Sequence, residues 1–220
     1  MRIAILGGTG DIGEGLALRW AKDTDHEVLV GSRDADRAQA SAEEYLSALA
    51  ERGVDGTVSG FENAAAAGRG EVIVLAVPPY VVADTIERIE GEIGDAVLVS
   101  PGVGLERDES GFHHDPPPSG SVTAHAAQAA PEGVPVVGTF HNLPAARLAD
   151  LDADLGLDTP VVGEAGLAKE TVMKLVNDIE GLGGLDAGGM GNAPEAEGMV
   201  PLLLNVAANE GLDDIGIAFR

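Results

Sequence analysis

The stretch Ile3-Ala4-Ile5-Leu6-Gly7-Gly8-Thr9-Gly10-Asp11-Ile12-Gly13 decides the fold. Residues 1–6 form an apolar run of strand length, and residues 14–22 set Leu16, Ala17 and Trp20 at helical spacing. A G-x-G-x-x-G spacing alone says little in a chain with 31 glycines. Between a strand and a helix, inside a βαβ unit, it becomes a dinucleotide-binding fingerprint. In that role Gly8 provides the tight turn, Gly10 lets the backbone approach a pyrophosphate, and Gly13 lets helix and strand pack closely. The helix start adds free N–H groups and a partial positive charge. Gly8, Thr9, Gly10, Asp11, Ile12 and Gly13 are therefore candidate cofactor-binding residues.

The end of the second strand, residues 27–30, selects between dinucleotides. An acidic residue there binds the ribose 2′-hydroxyl of NAD, whereas a cation meets the 2′-phosphate of NADP. This chain has Gly31-Ser32-Arg33, with Ser32 falling 19 residues after Gly13. Arg33 can stack on the adenine and pair with the phosphate, Ser32 can donate a hydrogen bond, and Arg37 lies one helical turn further on. NADP is the expected cofactor. Asp34 sits past the strand and begins the helix of residues 34–52. Ala76-Val77-Pro78-Pro79 and Ser100-Pro101-Gly102-Val103 end the strands of residues 71–77 and 96–100. Ligands of doubly wound sheets sit at such strand ends, although proline also simply terminates a strand.

Outward from this core, strands are expected at 57–59, 134–139, 159–163 and 181–187. Helices are expected at 61–67, 81–89, 122–130, 167–179 and 195–209, with Pro201 near the first turn of the last. Residues 110–120, with His113, His114 and three prolines, read as an exposed loop, and 188–191 as a flexible turn. Strands that alternate with helices and are apolar throughout imply an α/β, Rossmann-type doubly wound, mostly parallel sheet. Residues 1–150 are expected to form the NADP-binding domain, and 151–220 a small C-terminal α/β extension completing a second-substrate pocket.

Composition narrows the function. The chain carries 13 Lys plus Arg against 37 Asp plus Glu, a formal net charge of −24. Phosphate-neutralising patches are missing, so nucleic acid and anionic membranes are excluded as partners. Only Lys22, Lys169 and Lys174 are lysines, and the acid surplus suits a cytoplasm at molar salt, where the Debye length is ~3 Å. The absence of cysteine rules out thiolate metal sites, disulfides and Cys nucleophiles. Neither a signal peptide nor a membrane-spanning run is read, so a cytoplasmic location is expected.

Acid–base machinery is sparse. His26 precedes a strand, His125 lies in an Ala-rich helix, and Lys169 and Lys174 fall on a solvated helix face. Carboxylates are too numerous for any pair to stand out. Ser-His-Asp spacing, H-E-x-x-H and a Walker loop are all missing. His141, in 139–144 after the sixth strand, is the exception on the expected cofactor edge. Hydride transfer between two redox cofactors needs rings held at the right distance, so proximity and orientation suffice.

The chain resembles the NADP oxidoreductases that use the deazaflavin coenzyme F420, found in archaea and some bacteria. The resemblance rests on residues 7–13, 30–33, 99–101, 141–147, 185–188 and 201–205, and extends to 211–219. It implies reversible hydride transfer between NADP(H) and F420, without a catalytic acid, base or metal. By the family pattern Thr9 to Ile12, Ser32, Arg33, Arg37, Val77, Val81, Val103 and Ala145 hold NADP. His141, Leu143 and Ile215 line the deazaflavin pocket, His141 as a hydrogen-bonding or positioning residue. Where the family carries an Arg and two hydroxyl residues, this chain has Pro194, Gly198 and Val200. Two other readings stay open: a reductase of the same fold passing electrons to a flavin or ferric acceptor, and a non-catalytic NADP-sensing module. The apolar helix at 200–208 serves equally as core or as the seam of a homodimer.

Overall fold

In a computed structural model that describes residues 1–164 and 166–220, the fingerprint sits where the sequence puts it. Strand β1 (Arg2–Leu6) leads through the glycine loop into helix α1 (Asp11–Asp23) and returns to β2 (Glu27–Ser32). Helix α2 (Ala35–Ala50), capped by the Asp34 carboxylate, which accepts from the Asp36 and Arg37 N–H groups, leads to β3 (Thr57–Glu62). Then come α3 (Asn63–Ala67), β4 (Val72–Leu75), α4 (Val82–Ile89) and β5 (Val97–Ser100). Helix α5 (Val122–Ala129) precedes the last central strand, β8 (Val136–Gly138). These strands form one parallel sheet in the order β3-β2-β1-β4-β5-β8. The order reverses between β1 and β4, where a doubly wound sheet opens a ligand crevice.

The sheet is buried on both faces. One face packs Ile3, Ile5, Val28, Val30 and Val74 against α1 and α2; the other packs Ala4, Leu6, Leu29, Ile73 and Leu75 against α4 and α5. That is why the strands read as unbroken apolar runs. Aromatic residues are few, and Trp20 and Phe140 meet edge-to-face at 5.7 Å, with Trp20 Nε1 donating to the Leu175 carbonyl at 2.9 Å.

The chain after β8 folds onto this core. Helix α6 (Ala145–Ala149) lies against α1, and β9 (Leu157–Val161) pairs in parallel with β10 (Leu182–Asp186) around α7 (Gly166–Asn177). Leu157, Val161, Val172, Leu175 and Leu182 belong to the same apolar cluster as Ile3 and Trp20, so residues beyond 150 share the core of the first 150. Arg19, 2% exposed, ties the two regions together. It donates to the carbonyls of Leu148, Arg147, Asp150 and Ala153 at 2.9, 3.1, 2.5 and 3.0 Å.

Three local expectations are corrected. The segment expected as a loop at 110–120 begins as an antiparallel hairpin, β6 (Leu105–Asp108) with β7 (Gly111–His114). Asn205 on the last helix brackets that hairpin, accepting from the Phe112 N–H and donating to its carbonyl, both at 2.8 Å. The last helix, α8, spans Ala193–Glu210 and so begins earlier; Pro194 occupies its first turn, and Pro201 lies inside it. Lys169, expected on a solvated face, is half-buried and donates to Asp186 and the Gly188 carbonyl, both at 2.7 Å.

Candidate functional site

The carboxyl ends of β1, β2 and β4 frame a cleft of about 390 Å³. Its walls include Gly7, Thr9, Gly10, Ser32, Arg33, Arg37, Val77 and Val81. Gly7, not Gly8, makes the tight turn: its φ is +77°, and a Cβ there would lie 2.3 Å from the Ala76 carbonyl oxygen. Gly8 is instead pressed against the Ile5 carbonyl, 2.8 Å from where its Cβ would be, and Tyr45 Oη donates to the Gly8 carbonyl at 2.9 Å. Burial raises the Tyr45 phenol well above its ordinary range, so it stays a donor. Gly13 packs against the loop, where a Cβ would come within 2.6 Å of Gly8 Cα. Gly10 caps α1 and faces the cleft with ordinary clearance, its nearest neighbour 3.4 Å away. Asp11 is exposed in the first turn and Ile12 packs at the core edge.

Ser32 is buried, and its Oγ accepts from the Asp34 N–H at 3.2 Å. Arg33 and Arg37 are exposed on the cleft wall, and Arg37 Nη2 reaches the Thr9 carbonyl at 3.5 Å. Among the described residues no carboxylate lies within 4 Å of either guanidinium. Arg88 and Asn63 also line the cleft, and neither follows from the strand-end rule. A polyphosphate with an added 2′-phosphate fits this wall: open backbone at Gly10, a helix start, and unpaired arginines.

A second cavity, of about 290 Å³, lies between the His141–Ala145 segment and α8. His141, Leu143, Ala145, Val200, Leu203 and Ile215 contribute to it. Ala145, expected at the NADP, lines this second cavity rather than the first; Val103 lines neither. The Ala145 carbonyl lies 3.3 Å from a Cβ built on Gly15, so α6 packs closely on α1.

The His141 segment is pinned. Phe140 has φ +67°, a conformation that costs a non-glycine residue ~1–2 kcal/mol. The turn is held by β9: Phe140 N–H donates to Thr159 Oγ1 at 3.1 Å, Thr159 Oγ1 donates to Asn142 Oδ1 at 2.9 Å, and Asn142 Nδ2 donates to the Asp158 carbonyl at 2.8 Å. The His141 ring is buried, and burial pushes its pKa down to about 4. Nearby stands a residue that sequence reading missed. Glu197 of α8 is fully buried, 3.9 Å from His141 Nε2 and 3.8 Å from His114 Nε2. His114, expected exposed, is half-buried because its hairpin packs on α8; His113 stays exposed beside Asp108. Glu197 was hidden among 37 carboxylates. Its only signal was an acidic residue flanked by Ala196 and Gly198 in an apolar helix. Pro194, Gly198 and Val200 lie on the same helix, and of these Val200 reaches the second cavity.

A doubly wound sheet with this glycine loop and an arginine-lined cleft at its switch point defines a dinucleotide-binding oxidoreductase fold. The family profile described as "NADP oxidoreductase coenzyme F420-dependent" matches residues 2–104. An F420-dependent NADP reductase of Methanocaldococcus jannaschii is 36% identical over 94% of this chain and 92% of its own length. Another from Methanothermobacter marburgensis is 34% identical over 99% of this chain and 97% of its own. The chain belongs to the F420-dependent NADP reductase family. A crystal structure from Arthrobacter sp. FB24, provisionally described as such a reductase, superposes with a TM-score of 0.80 at 23% identity, covering 100% of this chain and 99% of that one. At that identity the likeness shows the shared fold.

Proposed function

We propose that this chain catalyses reversible hydride transfer between NADP(H) and coenzyme F420. One observation carries this: similarity to the archaeal reductases extends over nearly the whole chain and not only over the nucleotide fold. When bound, NADPH supplies a hydride from its nicotinamide ring and the deazaflavin accepts it. The loop from Gly8 to Gly13 would receive the pyrophosphate, with Thr9 and Gly10 facing it, Ser32, Arg33 and Arg37 would take the 2′-phosphate, and Val77 and Val81 the apolar parts; Ala145 would stand at the acceptor side, and Val103 is left without a role. His141, Leu143 and Ile215 would line the acceptor site. The reduced deazaflavin also takes up one proton at a ring nitrogen, which solvent would supply, so no side chain need move a proton and orientation carries the rate.

Oxidised F420 titrated with NADPH in molar salt should lose its visible absorbance. Persistent absorbance overturns the assignment, and NADPH oxidation by a flavin or ferric chelate instead would redirect it. Arg33→Ala should weaken NADPH selectively over NADH; equal losses refute the 2′-phosphate role. We also place the protein in the cytoplasm of a halophilic archaeon, a setting supported by the −24 charge, by the archaeal relatives and by the absence of any described helix long and apolar enough to cross a membrane. Full folding and activity in dilute buffer would argue against the saline setting. Exposed Leu202 and Val206 on α8 support a homodimer, which sedimentation would test.

A further inference from the structure

Three buried polar residues from three elements meet behind the second cavity. Glu197 Oε2 accepts from the Val122 N–H at 2.8 Å. Its Oε1 accepts from the Thr123 N–H and from Thr123 Oγ1, both at 2.9 Å. Thr123 Oγ1 lies 3.3 Å from His141 Nε2. All three side chains are buried, and among the described residues His141 Nδ1 has no partner and is closed to solvent.

The donor count fixes the protons. A carboxylate only accepts, and a hydroxyl has one proton to give. Two backbone N–H groups already point at Glu197, which favours its ionised form, although burial raises its pKa. The Thr123 proton goes to Glu197 Oε1, so the Thr123 oxygen can only accept from the histidine. His141 must then carry its proton on Nε2, and Nδ1 keeps a lone pair. Burial keeps the ring neutral, so both nitrogens are not donors together. The other titratable group facing this cluster is His114 of β7, 3.8 Å from Glu197. Capping of α5 would explain Glu197 alone; it would not require the hydroxyl of Thr123 to stand between carboxylate and imidazole.

We infer that Glu197 and Thr123 are positioning residues that lock His141 in the Nε2–H tautomer and so hold its ring in one orientation at the wall of the acceptor cavity. The link to acceptor binding rests on the proposed F420 reaction; the tautomer half does not.

Long-range ¹H–¹⁵N correlation on the full-length protein reads the tautomer directly, with His141→Gln identifying the signals. Wild type should show a protonated Nε2 and an unprotonated Nδ1. Thr123→Val should give mixed tautomers and raise the F420 KM about tenfold, the worth of one buried hydrogen bond, with the NADPH KM unchanged. Thr123→Ser should restore both. A protonated Nδ1 in wild type, or an unmoved tautomer in folded Thr123→Val, overturns the lock. A shifted tautomer with an unchanged F420 KM overturns the link to acceptor binding. If wild type fails to reduce F420, the proposed function falls, while the spectrum still decides the lock.

Discussion

Replacing Gly13 with alanine tests whether the glycine loop is fixed by packing. A Cβ at this position would stand 2.6 Å from Gly8 Cα and 2.8 Å from the Gly7 carbonyl oxygen. Carbon atoms rest at ~3.5–4.0 Å, so loop and helix must separate by about 1 Å. Both neighbours are backbone, so no side chain can swing away. Overpacking of this kind costs ~1–3 kcal/mol. The same displacement moves the amides of Thr9 and Gly10 away from the cleft, so NADPH should bind about tenfold more weakly. Urea unfolding and calorimetric NADPH titration measure the two losses. Gly91→Ala is the control, since a Cβ there meets nothing within 4 Å. If Gly13→Ala matched that control in midpoint and affinity, close packing would not be what holds the loop.

Tyr45→Phe removes the donor to the Gly8 carbonyl at 2.9 Å and should cost ~1–2 kcal/mol with a severalfold weaker NADPH complex, read by the same two assays; unchanged values refute the buttress. Arg19→Met strips four carbonyls of their donor and should cost at least ~3 kcal/mol in urea, while a loss under ~1 kcal/mol would mean water replaces the guanidinium. His141, with a folded pKa of about 4 against ~6.5 unfolded, binds fewer protons folded than unfolded in that window. Stability should therefore climb by ~3 kcal/mol as pH rises from about 4 to 6.5 and stay level above. Glu197, raised by burial, works in the opposite sense, its contribution fading as pH rises through its folded pKa. Comparing the urea midpoints of wild type and His141→Gln across pH isolates the histidine, and parallel curves would refute its burial as a neutral ring.

Short-range rules carried the first half of the fold. The six central strands announce themselves because parallel strands covered on both faces must be apolar throughout, and the loop because its glycines answer steric demands in one place. Even there spacing misassigned the turn, since Gly7 and Gly8 are adjacent and only backbone geometry tells which has positive φ. The hairpin of β6 and β7 was hidden because its stability comes from Asn205, over 90 residues away, and from α8, not from its own exposed strands. Pro201 misled for a related reason: a helix packed against the protein tolerates an interior proline that local propensity places in the first turn. His141 was legible by its place after a strand. Glu197 was not, because what marks it is burial, and burial of one carboxylate among 37 is a tertiary fact.

Charge shows how the two cavities divide recognition. Of the 13 cations, six pair with carboxylates: Arg2, Lys22, Arg52, Lys169, Lys174 and Arg220. Arg19 and Arg147 serve backbone carbonyls, and Arg69 and Arg107 lie over the rings of Phe61 and Phe112. The remaining three, Arg33, Arg37 and Arg88, have no carboxylate partner among the described residues, and all three line the first cleft. Glu62 and Asp84 line the same cleft, so the three arginines stand there beside two carboxylates. At low salt the surrounding charge opposes an anionic ligand over ~10 Å; in molar salt the range falls to ~3 Å and the ligand meets only the charges that line the cleft. The second cavity has no such cation, and Asp214 is its one charged liner among the described residues. Recognition there must come from apolar contact and from hydrogen bonds whose direction is set in advance. A buried carboxylate acting through a hydroxyl on a neutral imidazole fixes that wall of the cavity without placing a charge in it.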